Sequence, residues 1–195
     1  MTEEDTRSRI LAAALDMLNR SGAGGLTVRA VASEAGCSTI GVYTHFGGKD
    51  GLIDAVLTDG FVSLERSLKR ARPASGPMGS LRAQAGAYRR WALKHPQHYR
   101  VMFADPVDHA RSDEASAAGV RAYLMLNAAV VDAIAGGDCR VDDVDAVTLA
   151  CWGLVHGLVM LQLANPKPPH VAGARDLDER AFTLALDAFV RGFGQ

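Results

Sequence analysis

The residues with the clearest potential for binding chemistry lie between Leu26 and Leu52, in the run LTVRAVASEAGCSTIGVYTHFGGKDGL. This run combines hydroxyls, an imidazole and cations with apolar side chains. Hydroxyls and cations contact phosphate oxygens, and an apolar side chain can contact the methyl group of thymine. The side chains that we expect to contact DNA are Val28, Arg29, Ser38, Thr39, Ile40, Gly41, Tyr43, Thr44, His45 and Lys49.

Two short helices joined by a tight turn are needed to position these side chains. Thr27 is a suitable N-cap for a first helix that runs to Ala35, and Gly36 stands where that helix must stop. Ser38 can cap a second helix two residues later. So short a turn predicts a helix-turn-helix, whose second helix can enter the major groove of DNA.

The two predicted helices separate their side chains onto two faces. The apolar set recurs at helical spacing and can form a small core: Val31, Ala32, Ala35, Cys37, Val42 and Phe46. Ile40 and Tyr43 then point outward, which is unusual for a face that meets only water. The pattern favours a face that meets a groove.

These residues resemble a known family. The threonine, the turn glycine and then Tyr43, His45, Phe46, Lys49 and Leu52 are similar to the N-terminal domain of the tetracycline-repressor (TetR) family of bacterial regulators, over about a quarter of the chain. The resemblance implies a homodimer that binds a palindromic operator as a repressor and is released by a small molecule. The run Trp152-Gly-Leu-Val-His-Gly resembles the W-H-G motif in the C-terminal domain of one subgroup.

Composition indicates a folded intracellular protein. The 195 residues are 48% hydrophobic and 22% charged, and the chain opens MTEEDTRSR rather than with a secretion signal. The longest apolar run, from Leu149 to Leu161, is too short to span a bilayer and is interpreted as a buried helix. We therefore expect a cytoplasmic protein with no membrane partner.

The charge and the cysteine content give little further information about function. Residues 1–72 carry nine Lys and Arg against nine Asp and Glu, which predicts modest non-specific affinity for DNA. Cys37, Cys139 and Cys151 show neither metal spacing nor a disulfide framework, so we expect reduced thiols, with Cys37 small and buried.

The predicted fold is all-α, with about nine helices and no convincing strand. Periodicity and breaks predict these helices: 6–20, 28–35, a second short helix that Ser38 caps, 49–72, 80–94, 97–103, 112–135, 141–164 and 177–193. The predicted domains are a helix-turn-helix domain (1–50), a connecting helix (51–72) and a ligand-binding and dimerisation domain (73–195).

Two helices of the C-terminal domain predict the dimer. Residues 141–164 are apolar nearly all round, and the last helix carries Phe182, Leu186, Phe189, Val190 and Phe193. Pairing of both helices with their copies in a four-helix interface is the simplest explanation. The alternative is that both helices only complete the core of one chain.

Aromatic residues of the same domain suggest an effector pocket. The candidate residues are Tyr88, Trp91, Tyr99, Met102, Phe103, Tyr123, Asn127, Trp152 and His156. Aromatic side chains with a few polar groups are typical of small-molecule sites but also of protein cores, and composition does not decide between the two. His156 on its apolar helix fits a core histidine better than a ligand contact. No cofactor is expected.

Two other functions are compatible with parts of the chain. His95, His98, Asp105, Asp108 and His109 have ligand types that suit zinc or iron, which would indicate an enzyme, but their spacing matches no metal motif. A helical adaptor could instead bind protein through the face around Tyr43. We expect a DNA-binding regulator and no enzymatic activity.

Overall fold

The computed structural model describes residues 3–73, 78–103, 112–164 and 176–193. Within these ranges the chain forms nine helices and no strand. They are α1 (Glu3–Gly25), α2 (Val28–Ala35), α3 (Thr39–Phe46), α4 (Lys49–Lys69), α5 (Gly79–Lys94), α6 (Pro96–Phe103), α7 (Asp113–Ala135), α8 (Val144–Ala164) and α9 (Leu177–Phe193). The all-α prediction is confirmed.

The chain divides into two compact units. Unit 1 comprises Met1–Ser63 and His95–Val120, and unit 2 comprises Leu64–Lys94 and Arg121–Gln195. Helices α4 and α7 each contribute to both units, because the chain passes from one unit to the other within them. The predicted domains, divided at residues 50 and 72, are defined by their expected functions and not by compactness. That division stays a prediction.

The first helix is longer than predicted and is interrupted near its end. Helical hydrogen bonding extends from Glu3 to Gly25, but Gly22 has φ 63° and ψ −176°, which are not helical angles. Glycine takes this conformation without the Cβ clash that other residues suffer. Gly22 therefore interrupts the helix, but the chain resumes a helical turn up to Gly25 instead of entering a loop.

Helix α4 and helix α6 approach closely in unit 1. A Cβ atom at Gly60 would lie 2.6 Å from the Met102 sulfur, so a larger residue here would force the Met102 side chain to shift. Nearby, the His98 Nε2 atom lies 3.0 Å from a carboxylate oxygen of Asp59. Phe61 and Phe103 complete the contact, with ring centroids 5.9 Å apart in an edge-to-face arrangement.

Helix α5 holds α8 and α9 together in unit 2. The Arg82 guanidinium forms an ion pair with Asp187 of α9. The Arg89 Nε atom donates to the Gln162 side chain of α8 at 3.2 Å, and the same guanidinium lies 5.0 Å from the centroid of the Phe182 ring of α9. Two arginines on α5 thus fix the position of α8 and α9 relative to each other.

The turn between α7 and α8 also supports the start of α5. The Asp138 carboxylate accepts a hydrogen bond from the backbone N–H of Met78 at 3.2 Å. Met78 is buried and has φ 55°, which is the left-handed region and unfavourable for a side chain of this size. The hydrogen bond and the burial together hold this conformation at the beginning of α5.

Helix boundaries otherwise agree with the predicted ones to within a few residues. The connecting helix ends at Lys69 rather than Arg72, and α8 begins at Val144 rather than at residue 141, after Asp143 accepts a hydrogen bond from the Ala146 N–H. The predicted helix at 177–193 is confirmed.

Helix α8 is not the buried helix that its composition suggested. Its buried side chains lie on one face only: Val147, Thr148, Cys151, Val155 and Val159. Helices α7 and α8 are each long and apolar enough to cross a membrane by length and composition, and 28% of each tested segment is buried. Apolar helices exposed to this degree also form interfaces between chains.

Candidate DNA interface and helical regulatory unit

Helix α3 carries the candidate recognition face of the helix-turn-helix. Ile40 is 75% exposed and Tyr43 is 58% exposed, and Thr39 and Thr44 are exposed as well. Gly41 and His45 are half-buried. Ile40 and Tyr43 therefore point outward as predicted and are the large apolar groups of the face, whereas His45, which we also expected to contact DNA, is only partly exposed.

Capping hydrogen bonds fix where both helices of the motif begin. Thr27 Oγ1 accepts from the Ala30 N–H at 3.2 Å, and Ser38 Oγ accepts from the Gly41 N–H at 3.1 Å. Gly36 ends α2 in the left-handed conformation, with φ 63°. The caps and the turn glycine that the sequence predicted are confirmed, and they set the angle between α2 and α3.

A small apolar core lies beneath the recognition face. Val31, Ala32, Ala35, Val42 and Phe46 are buried as predicted, whereas Cys37 is only half-buried. The expectation for Cys37 was wrong because the residue follows the left-handed Gly36, at the edge of the turn. The core still orients α3 as a rigid element on α1 and α2.

Charged residues beside α3 can contact the DNA backbone. Arg29 is exposed on α2, and Lys49 is half-buried at the first position of α4, close in sequence to the end of α3. Val28 is half-buried at the first position of α2, and Ser38 is exposed. A cation or a hydroxyl at such helix ends suits a phosphate oxygen, which fixes the register of the protein on the duplex.

The aromatic candidates for an effector pocket divide between the two units. Tyr99, Met102 and Phe103 belong to unit 1, where Tyr99 and Met102 are buried and Phe103 packs on Tyr99 with centroids 5.0 Å apart. They pack α6 against its neighbours. The other six candidates lie in unit 2 on helices α5, α7 and α8: Tyr88, Trp91, Tyr123, Asn127, Trp152 and His156.

Four of these six side chains form a connected aromatic group. The Tyr88 hydroxyl lies 3.0 Å from Nδ1 of His156, whose ring centroid is 5.8 Å from that of Trp152. Trp152 in turn meets Tyr123 edge to face at 6.1 Å. Burial lowers the pKa of His156 below its ordinary value, which favours the neutral imidazole.

The remaining two candidates have different environments. Asn127 donates to the Thr148 hydroxyl at 3.4 Å, and Thr148 is one of two buried polar residues in the described chain. Trp91 is buried in the interior of unit 2. The six candidates of unit 2 thus combine aromatic side chains with neutral hydrogen-bonding groups. This combination suits a site for a small uncharged molecule, and it also suits a packed core.

One charged cluster of unit 2 was missed in the sequence. Glu65 is 7% exposed, yet it accepts from Arg121 at 3.1 Å and from Lys69 at 2.5 Å. These cations lower the pKa of the Glu65 carboxyl, with the Lys69 hydrogen bond as the main cause. Only the Glu65–Lys69 spacing of four residues gave any sequence signal.

The outward face of α8 consists largely of small and apolar residues, and α9 adds one exposed leucine among polar and charged side chains. On α8 the exposed or half-buried positions along one stripe are Ala146, Ala150, Gly153, Gly157, Leu161 and Ala164. A Cβ atom at Gly153 or Gly157 would meet nothing within 4 Å. On α9, Leu184 is 68% exposed, while Phe182, Leu186 and Val190 are buried.

This arrangement corrects the residues predicted for the dimer face of α9. Phe182, Leu186 and Val190 point into their own chain, and the half-buried Phe189 and Phe193 rings pack on each other at 4.6 Å. Both faces of α9 carry apolar residues, and periodicity alone did not distinguish the inner face from the outer one.

The candidate metal cluster gains no support. Among the described residues, no group of three or more His, Cys, Asp or Glu side chains is arranged to hold a metal ion. His98 instead contacts Asp59. Asp105, Asp108 and His109 lie outside the described residues.

Comparison with known families matches both parts of the chain. Residues 10–56 match the model of bacterial regulatory proteins of the tetR family, and residues 81–189 match the tetracyclin repressor-like C-terminal domain. An HTH-type transcriptional regulator of Mycobacterium tuberculosis is 30% identical over 148 residues, which cover 71% of this chain. The match spans 63% of the length of that relative.

Solved structures share the fold over nearly the whole chain. A Rhodococcus protein of unknown function is 29% identical with a TM-score of 0.78, and the match covers 97% of this chain and 96% of that one. A TetR family transcriptional regulator from Thermus thermophilus, 20% identical, has a TM-score of 0.74 over 96% of this chain and 100% of its own. The helix-turn-helix, the helical C-terminal part and both family matches agree, and the chain belongs to the tetracycline-repressor family of DNA-binding transcriptional regulators.

Proposed function

We propose that this regulator is a cytoplasmic homodimer that represses transcription from a palindromic operator and releases it when a small molecule binds unit 2. The proposal depends on the presence, in one chain, of an exposed face on α3 suited to DNA and of an exposed face of small and apolar residues on α8, with the exposed Leu184 on α9. A regulator of this kind needs no catalytic residues, and we propose no enzymatic activity.

The dimer follows from the composition of the α8 face. A stripe of alanine and glycine lets two helices approach closely, and Leu161 and Leu184 lose contact with water when a second copy covers them. Two recognition helices can then enter major grooves one helical turn apart, about 34 Å, on the same side of the duplex. Each half-site contributes to the affinity.

Sedimentation velocity tests the dimer. Gly153→Leu places a large side chain in the centre of the proposed contact, and Leu149→Glu places a charge beside it, since Leu149 is exposed on α8. Both variants should sediment as monomers at micromolar concentration. Leu124→Glu is the matched control, because Leu124 is 51% exposed against 58% for Leu149 but lies on α7, outside the proposed contact, and this variant should remain a dimer. A wild-type monomer would contradict the proposal.

The effector site is assigned to the aromatic group around Tyr88, Trp152 and His156. Its residues come from three helices, so a bound molecule can alter how those helices pack. To shift the protein toward the DNA-incompetent state, the molecule must bind that state more tightly than the other. The resulting response would be release of the operator.

A screen for operator release tests this assignment. Full-length protein bound to fluorescent operator DNA, selected from a random duplex library, is exposed to a small-molecule library. Compounds that release wild-type protein should fail on Tyr88→Phe and His156→Phe, while both variants keep wild-type operator affinity. If the variants respond like wild type, the effector binds elsewhere. Placing the operator over a reporter promoter distinguishes repression from activation.

A further inference from the structure

We propose that Ile40 determines operator specificity by contacting the 5-methyl group of one thymine in each half-site. The inference builds on the two-half-site binding proposed above. Ile40 is 75% exposed, the largest exposure among the large apolar side chains in the described ranges. Exposure of an apolar side chain to water is unfavourable, and covering it with a second apolar group lowers the free energy.

The composition of α3 restricts how it can distinguish bases. Its sequence, TIGVYTHF, contains no Arg, Lys, Asn, Gln, Asp or Glu. Bidentate recognition of guanine needs Arg or Lys, bidentate recognition of adenine needs Asn or Gln, and an acid accepts from cytosine. The thymine methyl is the apolar feature of the major groove, and it matches the large apolar side chain that α3 presents.

Hydrogen bonds inside the motif already use part of its hydroxyl chemistry. The Thr44 hydroxyl donates to the Ile40 carbonyl oxygen at 2.9 Å, so its hydrogen is engaged within the helix. The Ser38 oxygen serves as the cap of the Gly41 N–H. The Thr44 hydroxyl hydrogen and one lone pair of the Ser38 oxygen are therefore engaged within the motif, which gives the apolar contact a larger share of the recognition.

Gly41, beside Ile40, provides a second and independent observation. A Cβ atom at this position would meet only the Ser38 hydroxyl, at an ordinary 3.6 Å, so the fold does not require glycine. Glycine inside a helix destabilises it relative to alanine. Gly41 therefore lowers the stability of α3 without being needed for packing. Its presence is explained if DNA approaches the backbone closely next to Ile40.

Replacing thymine by uracil tests the methyl contact directly, because this change removes only the methyl group. Operator duplexes from the selection carry deoxyuridine at one thymine position in both half-sites, and Kd is measured by fluorescence anisotropy at fixed salt. At the contacted position, the replacement of thymine by uracil should raise Kd about fourfold per half-site, which corresponds to the free energy of burying one methyl group. At the same position, 5-methylcytosine should bind more tightly than cytosine.

Protein variants then assign the contact to Ile40. Ile40→Ala should bind the thymine and uracil duplexes equally at that position, whereas Ile40→Val should keep most of the preference. Gly41→Ala should raise the melting temperature and weaken operator binding. Because Ile40 is exposed, thermal unfolding of its variants should match wild type.

The possible failures are distinguishable. If selection enriches no sequence, operator binding itself fails. If an operator binds but uracil has no effect at any thymine, the methyl contact is wrong while the regulator assignment stands. If Ile40→Ala keeps the thymine preference, another side chain makes the contact and the assignment to Ile40 is overturned.

Discussion

Glu65 on α4 and Arg121 on α7 form an ion pair of 3.1 Å across a sequence separation of 56 residues. Glu65 is the one buried charged residue among the described residues, and each member of the pair lies within two residues of the point where its helix enters unit 2. The pair therefore joins the two helices at the beginning of the unit that carries the proposed effector site.

Removal of the Arg121 side chain should destabilise the protein more than removal of Lys69. Arg121→Gln deprives a buried carboxylate of its interhelical partner, which we expect to cost about 1 kcal/mol because Arg121 is itself half exposed. Lys69→Gln is the matched control, since Lys69 contacts the same carboxylate from within α4. Urea unfolding measures both, and equal losses would show that the interhelical bond to Arg121 contributes no more stability than the bond to Lys69 within α4.

The same carboxylate predicts how stability depends on acid. Its folded pKa is lowered from 4.5, so its contribution is present above that value and is lost as the pH falls through the folded pKa. Wild type should therefore lose more stability than Glu65→Gln between pH 5 and about 3. Parallel curves for the two proteins in chemical denaturation would refute the assignment.

His156 should make stability sensitive to mild acid. Burial lowers its folded pKa below 6.5, so the unfolded chain takes up the proton first and stability falls as the pH drops below about 6.5. His156→Gln should show a smaller fall in melting temperature between pH 7 and 5.5. If the melting temperatures of both proteins fall by the same amount, groups other than His156 control stability in this pH range.

Gly51 should tolerate no side chain. A Cβ atom there would lie 1.7 Å from the Phe46 carbonyl oxygen, at the junction of α3 and α4. Gly51→Ala must displace backbone, and we expect a loss of about 2 to 3 kcal/mol together with weaker operator binding. Gly24→Ala is the control, because a Cβ atom at Gly24 meets nothing within 4 Å, and it should not destabilise the protein.

The three cysteines should differ in reactivity. Burial raises the pKa of the Cys151 thiol to about 12, and Cys139 is also buried, whereas Cys37 is half-buried at the turn of the motif. In native protein at pH 8, one thiol should react readily with Ellman's reagent, and Cys37→Ser should abolish that phase. Rapid reaction of two thiols would indicate that unit 2 opens easily.

Local signals made the helix-turn-helix predictable. The caps at Thr27 and Ser38 and the left-handed Gly36 depend on residues within a few positions of one another, and a single sequence contains that information. The exposure of Ile40 and Tyr43 follows from helical spacing for the same reason.

Features that depend on distant packing were not predictable. The inner face of α9 depends on Arg82 and Arg89 of α5, which hold Asp187 and Phe182, and no periodicity specifies that choice. The residues predicted for one pocket lie in two separate units, because Tyr99, Met102 and Phe103 pack in unit 1 although they follow Trp91 closely in sequence. The partner of Glu65 on α7 had no local signal either.

The alanine and glycine stripe on α8 has a consequence for gene duplication. A surface of small residues has almost no shape of its own, and a single larger side chain changes what fits against it. If α8 forms the dimer contact proposed above, one substitution at Gly153 or Gly157 in one copy of a duplicated gene, followed by a compensating reduction in side-chain size opposite it, would stop the two products from forming mixed dimers. Separate regulatory circuits would then arise from very few mutations, without any change in α3.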